Sequence, residues 1–221
     1  MRIKICGIRN QDDVDVAVKA DADAVGFLVG QLHASTDFIL PSTASRLASE
    51  LPPYITPVIV THLKEADKIM EIILRTGISN VQLHGGSSLP EVKKLRDLMP
   101  LCSKIILSTY IVDNKCVPEI KQFYPFIDAV LLDAYNREPN LIGQENVSNS
   151  YNWEFSANVV KECPLPVILA GALDGSNVAE AVKLVKPYGV DANNRLKTED
   201  GKGRSLEKCI NFVRNARNAT I

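Results

Sequence analysis

The chain has no excess of either charge: Lys and Arg number 25 against 26 Asp and Glu, a formal net charge of −1. That balance argues against a nucleic-acid surface and against a polybasic membrane patch. Long hydrophobic runs are also missing. None approaches the ~18 apolar residues that a membrane-spanning helix needs, and the first residues enter a strand-like run instead of a secretory leader. Paired cysteines are absent. The five, Cys6, Cys102, Cys116, Cys163 and Cys209, are odd in number and form no CxxC, which reads as reduced thiols in a cytoplasm and not as a disulfide framework. No GxGxxG follows the first strand-like run, no HxH or HExxH marks a metal site, and no linker or low-complexity segment divides the chain. These absences predict a soluble, cytoplasmic protein with neither nucleic acid nor membrane as partner. Whether it is a monomer or a homodimer stays open.

What is present is a regular alternation. The chain has 221 residues, 46% of them hydrophobic, enough for a full core. Strand-like runs occur at Ile3–Cys6, Ala24–Val29, Thr56–Thr61, Asn80–His84, Lys104–Ser108, Ile127–Asp133, Pro166–Ala170 and Tyr188–Asp191. They are rich in Val, Ile and Leu and lack strict polar alternation, as strands covered on both faces should. Amphipathic segments follow each, near Gln11–Lys19, Ser42–Leu51, Lys64–Arg75, Leu89–Leu98, Val117–Phe123, Trp153–Cys163, Ser176–Val185 and Ser205–Ala216. Eight strand–helix units in this length predict a single-domain (β/α)8 TIM barrel spanning 1–221. A doubly wound open sheet is the alternative. In a barrel the active site lies at the carboxyl ends of the strands. Two connections there are long, Ala134 to Asn152 and Ala192 to Arg204, as binding loops often are.

Cys6 and Asp133 end the first and sixth strands, so both should reach that face. A cysteine with lowered pKa can act as a general base, and an aspartate with raised pKa as a general acid. Each also has a plain structural reading, a small buried hydrophobe for Cys6 and a capping carboxylate for Asp133. His33, His62 and His84 lie on the same side. With Asp37 or Asp133 they could ligate zinc, but their spacing matches no ligand motif, and pocket-lining hydrogen bonds are the favoured reading. In many barrels the loops after strands seven and eight hold a phosphate. Gly171 remains at the first, and Arg195, Lys197, Lys202 and Arg204 lie near the second. A solvated charged loop is favoured over an anion grip for these four.

The ordered motifs resemble the phosphoribosylanthranilate isomerase family. Lys4-Ile5-Cys6-Gly7-Ile8 is similar to its KICGI signature, Val25-Gly26-Phe27 to its second strand and Val81-Gln82-Leu83-His84-Gly85 to its QLHG segment. Val130-Leu131-Leu132-Asp133, Asn152-Trp153, Leu169-Ala170-Gly171 and Gly189-Val190-Asp191 look like its LLD, DW, LAGG and GVD segments. The resemblance implies an Amadori rearrangement in tryptophan biosynthesis, an aldose–ketose isomerisation of intramolecular-oxidoreductase type. An aminoaldose phosphate would become a 1-amino-1-deoxyketose phosphate without cofactor or metal. It implies Asp133 as the acid that opens the ring and Cys6 as the base that removes the C2 proton. Substrate contacts would fall to Arg9, His33, Asp37, Gln82, His84, Gly171, Ala172, Asp191, Asn193 and Asn194.

Departures from the pattern fall on the binding apparatus. The GGTG-like loop reads Val147-Ser148-Asn149-Ser150-Tyr151, the second glycine of LAGG is Ala172, and the SSG-like turn is Ala192-Asn193-Asn194. Each added Cβ should block close approach to an anion or forbid a positive φ. Ser35-Thr36-Asp37 occupies the place of an SPR-like segment whose arginine pairs with a carboxylate. An aspartate there should repel that group unless Arg9, Arg137 or Arg195 substitutes. A diverged enzyme with another substrate, or a non-catalytic homologue, therefore stands beside the isomerase.

Overall fold

The computed structural model describes residues 1–110, 120–133 and 153–219. Eight strands run in the order β1 (Arg2–Cys6), β2 (Ala24–Leu28), β3 (Thr56–Thr61), β4 (Asn80–Leu83), β5 (Lys104–Tyr110), β6 (Ala129–Asp133), β7 (Val167–Ala170) and β8 (Gly189–Ala192). Every neighbouring pair is parallel, and β1 pairs with both β2 and β8. The closed ring has no edge, which excludes the doubly wound alternative. Outside it lie α1 (Gln11–Lys19), α2 (Pro41–Ser49), α3 (Ala66–Thr76), α4 (Leu89–Leu98), α5 (Trp153–Glu162), α6 (Val178–Val185) and α7 (Leu206–Asn218). The helix expected at Val117–Phe123 falls partly outside the described residues. Its described part has helical Ile120 and Lys121, followed by a 3-10 turn at Tyr124–Phe126. The expected loop from Ala134 to Asn152 lies wholly outside them.

The strands carry few polar residues because both of their sides are covered. Ile3, Ile5, Val25, Phe27, Val130 and Leu132 face outward and join one continuous core with helix residues such as Val14, Leu47, Leu95 and Phe212. The alternate residues point into the barrel. Cys6, Leu28 and Val60 form a separate small apolar cluster there. The other interior positions include Lys4, Gln82, Ser108 and Asp191, all buried. Period-2 alternation thus separates an apolar outer layer from a partly polar interior, and the polar interior opens at the carboxyl end of the strands.

Local signals start and stop the helices. Asn10 caps α1 by accepting from the Asp13 amide, and Ser205 caps α7 by accepting from the Lys208 amide, each satisfying an otherwise orphaned N–H. α3 stops at Gly77, whose φ of +71° is left-handed, a conformation that glycine adopts without steric cost.

Candidate active site

Cys6 and Asp133 are the last residues of β1 and β6. Cys6 shares the interior side of β1 with Lys4. Asp133 shares that of β6 with Leu131, because Val130 and Leu132 belong to the outer core. The thiol is buried and Asp133 is half-buried. Cys6 lies opposite Gly26 in the β1–β2 register, and a Cβ built on Gly26 would fall 2.6 Å from Cys6 Sγ. The glycine of Val25-Gly26-Phe27 therefore makes room for the thiol. Burial pushes the Cys6 thiol up to about 11. Lys4 and Arg204 pull it back, and Asp191 adds to the rise.

A polar chain crosses the barrel beneath the thiol. Lys4 and Asp191 are register partners on β1 and β8. Lys4 Nζ lies 2.6 Å from Asp191 Oδ2 and donates to Gln82 Oε1 at 2.8 Å. Gln82 Nε2 in turn donates to Ser108 Oγ at 3.1 Å and lies 3.4 Å from His84 Nδ1. Burial disfavours both charges, but Asp191 and the neighbouring Cys6 offset it at Lys4 and hold that group as an ammonium. Burial also raises the Asp191 carboxyl, while Lys4 and Arg204 draw it down. With a 2.6 Å contact between them, the ion pair is the consistent description.

The loops after β1, β2 and β8 are tied together by a buried charge cluster. Gly7, at φ +74°, brings its carbonyl to Arg204 Nη2 at 2.7 Å. Arg204 also donates to Asn193 O and Asn193 Oδ1, each at 2.6 Å. Its own amide donates to Asp13 Oδ1 at 2.9 Å. Asn193 Nδ2 donates to Asp37 Oδ2 at 3.1 Å, and Lys197 Nζ lies 2.7 Å from Asp37 Oδ1. Arg9 approaches the same carboxylates, Nε being 3.6 Å from Asp13 and 3.9 Å from Asp37. Its Nη1 donates to Thr36 O, while Nε and Nη2 are buried without a hydrogen-bond partner among the described residues. Three cations and two carboxylates leave this cluster a net positive charge.

After β7 the backbone turns through two left-handed residues, Gly171 at φ +99° and Ala172 at φ +47°. Asn177 Nδ2 donates to the Ala172 carbonyl, and Asp174 accepts from the Ser176 amide at 2.7 Å. Asp174 also pairs with Arg195 at 2.9 Å, joining the β7 loop to the β8 loop. His33, His62 and His84 stand edge to face in a row, with ring centroids 4.6 and 5.1 Å apart. Burial and neighbouring imidazoles lower His62 and His84 to about 4, so they are neutral near pH 7. Among the described residues no group of three or more His, Cys, Asp or Glu is placed to hold a metal ion.

Comparison with known proteins decides the lineage. A sequence profile of N-(5'-phosphoribosyl)anthranilate (PRA) isomerase matches residues 3–215. The chain is 39% identical over 218 residues to N-(5'-phosphoribosyl)anthranilate isomerase 2 of Methanosarcina mazei, covering 99% of this chain and 95% of that one. It belongs to the PRA isomerase family. The Haloarcula marismortui isomerase is 30% identical over 218 residues, covering 99% of this chain and 97% of the relative. The crystal structure of the Thermotoga maritima enzyme superposes with a TM-score of 0.84 at 26% identity, covering 99% of both chains. A PRA isomerase crystallised with reduced 1-(o-carboxyphenylamino)-1-deoxyribulose 5-phosphate superposes at 0.81 with 25% identity, again covering 99% of both.

Against the PRA isomerase pattern, three expectations change. The β8 loop is not a uniformly solvated charged segment: Arg204 is 5% exposed and clamps three loops, and only Lys202 of the four cations is exposed and without an ion pair among the described residues. Asp37 presents no bare charge, because it is buried against Lys197, Asn193 and Arg204. Ala172 keeps the left-handed turn despite its Cβ, held by the Asn177 bond to its carbonyl. The sequence reading named Lys4 only as part of a motif and missed it as a member of the site, as it missed Gly7, Ser108 and Gly26. The signal available for Lys4 was its i, i+2 spacing from Cys6 in an otherwise apolar strand. Gln82, His84, Asp191 and Asn193 line the interior or its rim, and Asn194 is exposed. Arg137 and the Val147–Tyr151 segment lie outside the described residues.

Proposed function

We propose that this protein is an N-(5'-phosphoribosyl)anthranilate isomerase and carries out the Amadori step of tryptophan biosynthesis. It would act as a soluble cytoplasmic enzyme of the intramolecular aldose–ketose class. The observation that carries the reading is family membership together with a thiol and a carboxylate on interior positions at the open ends of β1 and β6. Asp133, as the acid, donates a proton to the furanose ring oxygen. The C1–O bond breaks as the anilino nitrogen lone pair forms an iminium at C1. Cys6, as thiolate, accepts the C2 proton, and the C–H electron pair becomes the C1=C2 bond of an enolamine while the iminium nitrogen regains its pair. Protonation at C1 and loss of the hydroxyl proton give the ketone.

Burial raises the Cys6 thiol and favours its protonated form. The iminium reverses this locally: a cation beside Cys6 favours the thiolate and at the same time acidifies the C2 proton. Arg9 takes the anthranilate carboxylate. Its Nε and Nη2 are buried donors awaiting an acceptor, and an unmet buried donor costs about 1–3 kcal/mol that a bound carboxylate would recover. Asp37, already neutralised by Lys197, does not oppose it. The Gly171–Ala172 turn, Asn193 and Asn194 hold the phosphate, with Gln82, His84 and Asp191 lining the floor and His33 the rim.

The test is turnover of phosphoribosylanthranilate generated in situ, followed by loss of its fluorescence. Wild type turns over, and Cys6→Ala and Asp133→Ala do not, while their circular dichroism stays native. Retained turnover in either variant removes that residue from its role, and a folded wild type without turnover removes the function.

A further inference from the structure

A lysine inside a barrel is costly, since an ammonium loses most of its hydration there. Lys4 is nonetheless 4% exposed, two residues before Cys6 and on the same interior side of β1. Its neighbour in the register is Asp191, and its second partner is the neutral Gln82. The side chain reaches them through the notch left by Gly26. A Cβ at Gly26 would fall 2.6 Å from Cys6 Sγ and 3.1 Å from Lys4 Cε. The thiol sulfur and the last methylene of the lysine therefore share the space of one missing side chain, and the ammonium follows directly on that methylene.

The surroundings of Cys6 leave few other sources of positive charge. β2 and β3 face it with Gly26, Leu28 and Val60. β4 brings Gln82 and His84, the latter held neutral by burial, and His62 beside it is neutral for the same cause. β6 ends in Asp133 and β8 brings Asp191, both acidic. Of the three cations in the loop cluster, Arg204 also acts on the thiol but donates to Gly7 O and to both oxygens of Asn193, while Arg9 and Lys197 face Asp37. Lys4 meets one carboxylate and one amide oxygen, and it is the cation that shares the Gly26 notch with the thiol.

Resting on the isomerase reading above, we infer that Lys4 is a positioning residue that supplies the counter-charge against which Cys6 forms its thiolate. In the resting site the ammonium faces Asp191. When the thiol proton leaves for solvent, the interior gains one negative charge, and the ammonium is then shared between carboxylate and thiolate, which offsets part of that gain. Lys4 and Asp191 act on Cys6 with opposite sign, in agreement with the directions in which they move the thiol.

The experiment is alkylation of Cys6 in the full-length protein by iodoacetamide, a neutral reagent, resolved by peptide mass spectrometry from Cys102, Cys116, Cys163 and Cys209. Lys4→Met slows Cys6 alkylation at pH 8 by about tenfold or more, the equivalent of one pH unit. It also moves the rising limb of kcat/KM to higher pH and lowers kcat more than it raises KM. Asp191→Asn speeds alkylation, and Lys4→Arg keeps the wild-type rate within about threefold. A purely structural lysine predicts the opposite for Lys4→Met, since loosened packing exposes the sulfur and accelerates alkylation. Should Lys4→Met fail to fold, Lys4→Met/Asp191→Asn leaves no unpaired buried charge and should still react more slowly than wild type. An unchanged or faster rate in the folded Met variant overturns the inference. Alkylation needs no substrate, so a wild type inactive on phosphoribosylanthranilate would overturn the functional reading while these rates still decide the part of Lys4.

Discussion

Two glycines with nearly the same backbone conformation should respond very differently to alanine. Gly7 has φ +74° and Gly77 has φ +71°. A Cβ in left-handed backbone costs about 1–2 kcal/mol. Around Gly77 nothing lies within 4 Å of the new carbon, so Gly77→Ala should show that cost and no more. At Gly7 the new Cβ would fall 2.3 Å from Arg204 Nη2 and 2.6 Å from Asn193 Oδ1. The Arg204 side chain is 1% exposed, so it has no route into water and must shift within the cluster. That breaks or stretches its bonds to Gly7 O and Asn193 Oδ1, worth about 1.5–3 kcal/mol each as charge-assisted bonds. With partial relaxation the total for Gly7→Ala is about 3–5 kcal/mol. A chain of this size loses roughly 2–4 °C of Tm per kcal/mol, so Gly77→Ala should melt about 2–8 °C lower and Gly7→Ala about 6–20 °C lower. Paired calorimetry and urea titrations give the gap, expected to be about 1–4 kcal/mol. Gly7 follows Cys6 directly, so its variant should also lose kcat, while Gly77→Ala should not. Equal destabilisation of the two variants would refute the assignment of Arg204 as the clamp of the β1, β2 and β8 loops.

Further outcomes follow from other parts of the site. Arg9→Met should raise KM for phosphoribosylanthranilate by about tenfold or more, since it removes two buried donors that carry no hydrogen bond to the described residues and a charged hydrogen bond is worth about 1.5–3 kcal/mol; an unchanged KM would move the carboxylate elsewhere. Ala172→Gly should relieve the strain at φ +47°, and unfolding titrations should show a net gain of up to about 1 kcal/mol once the extra freedom of unfolded glycine is subtracted. His62 and His84 are held to about 4 in the folded chain against 6.5 for the free side chain. The unfolded chain therefore takes up protons first as pH falls, so their contribution is intact above pH 6.5 and is lost between 6.5 and 4. His84→Gln should flatten the pH–stability curve in that window, and an unflattened curve would sink this account.

The departures from the family motifs acquire a common physical sense in three dimensions. Asp37, in place of an arginine-bearing segment, is neutralised by Lys197 and tied to Asn193. Asn193, in place of a small turn residue, is also the acceptor for Arg204. These residues form one cluster that replaces backbone flexibility with fixed side-chain bonds. The substitutions thus read as a connected set, and the rim they form is net positive and braced.

Much of the fold was legible in one dimension, because the signals that specify it are local. Eight Val/Ile/Leu-rich runs alternating with amphipathic stretches dictate parallel strands covered by helices, and Gly77 and Asn10 mark helix ends by their own chemistry. Strand-end positions also singled out Cys6 and Asp133, since a residue that ends a barrel strand has few places to point. Three things required the tertiary structure. Barrel closure depends on β8 meeting β1, a pairing between the two ends of the chain. The roles of Lys4 and Gly26 depend on register, which places the Gly26 notch opposite Cys6 and Asp191 opposite Lys4. The state of Asp37 and Arg204 depends on burial, because the same residues on an open loop would be solvated charges and here, packed between three loops, they must pair with one another.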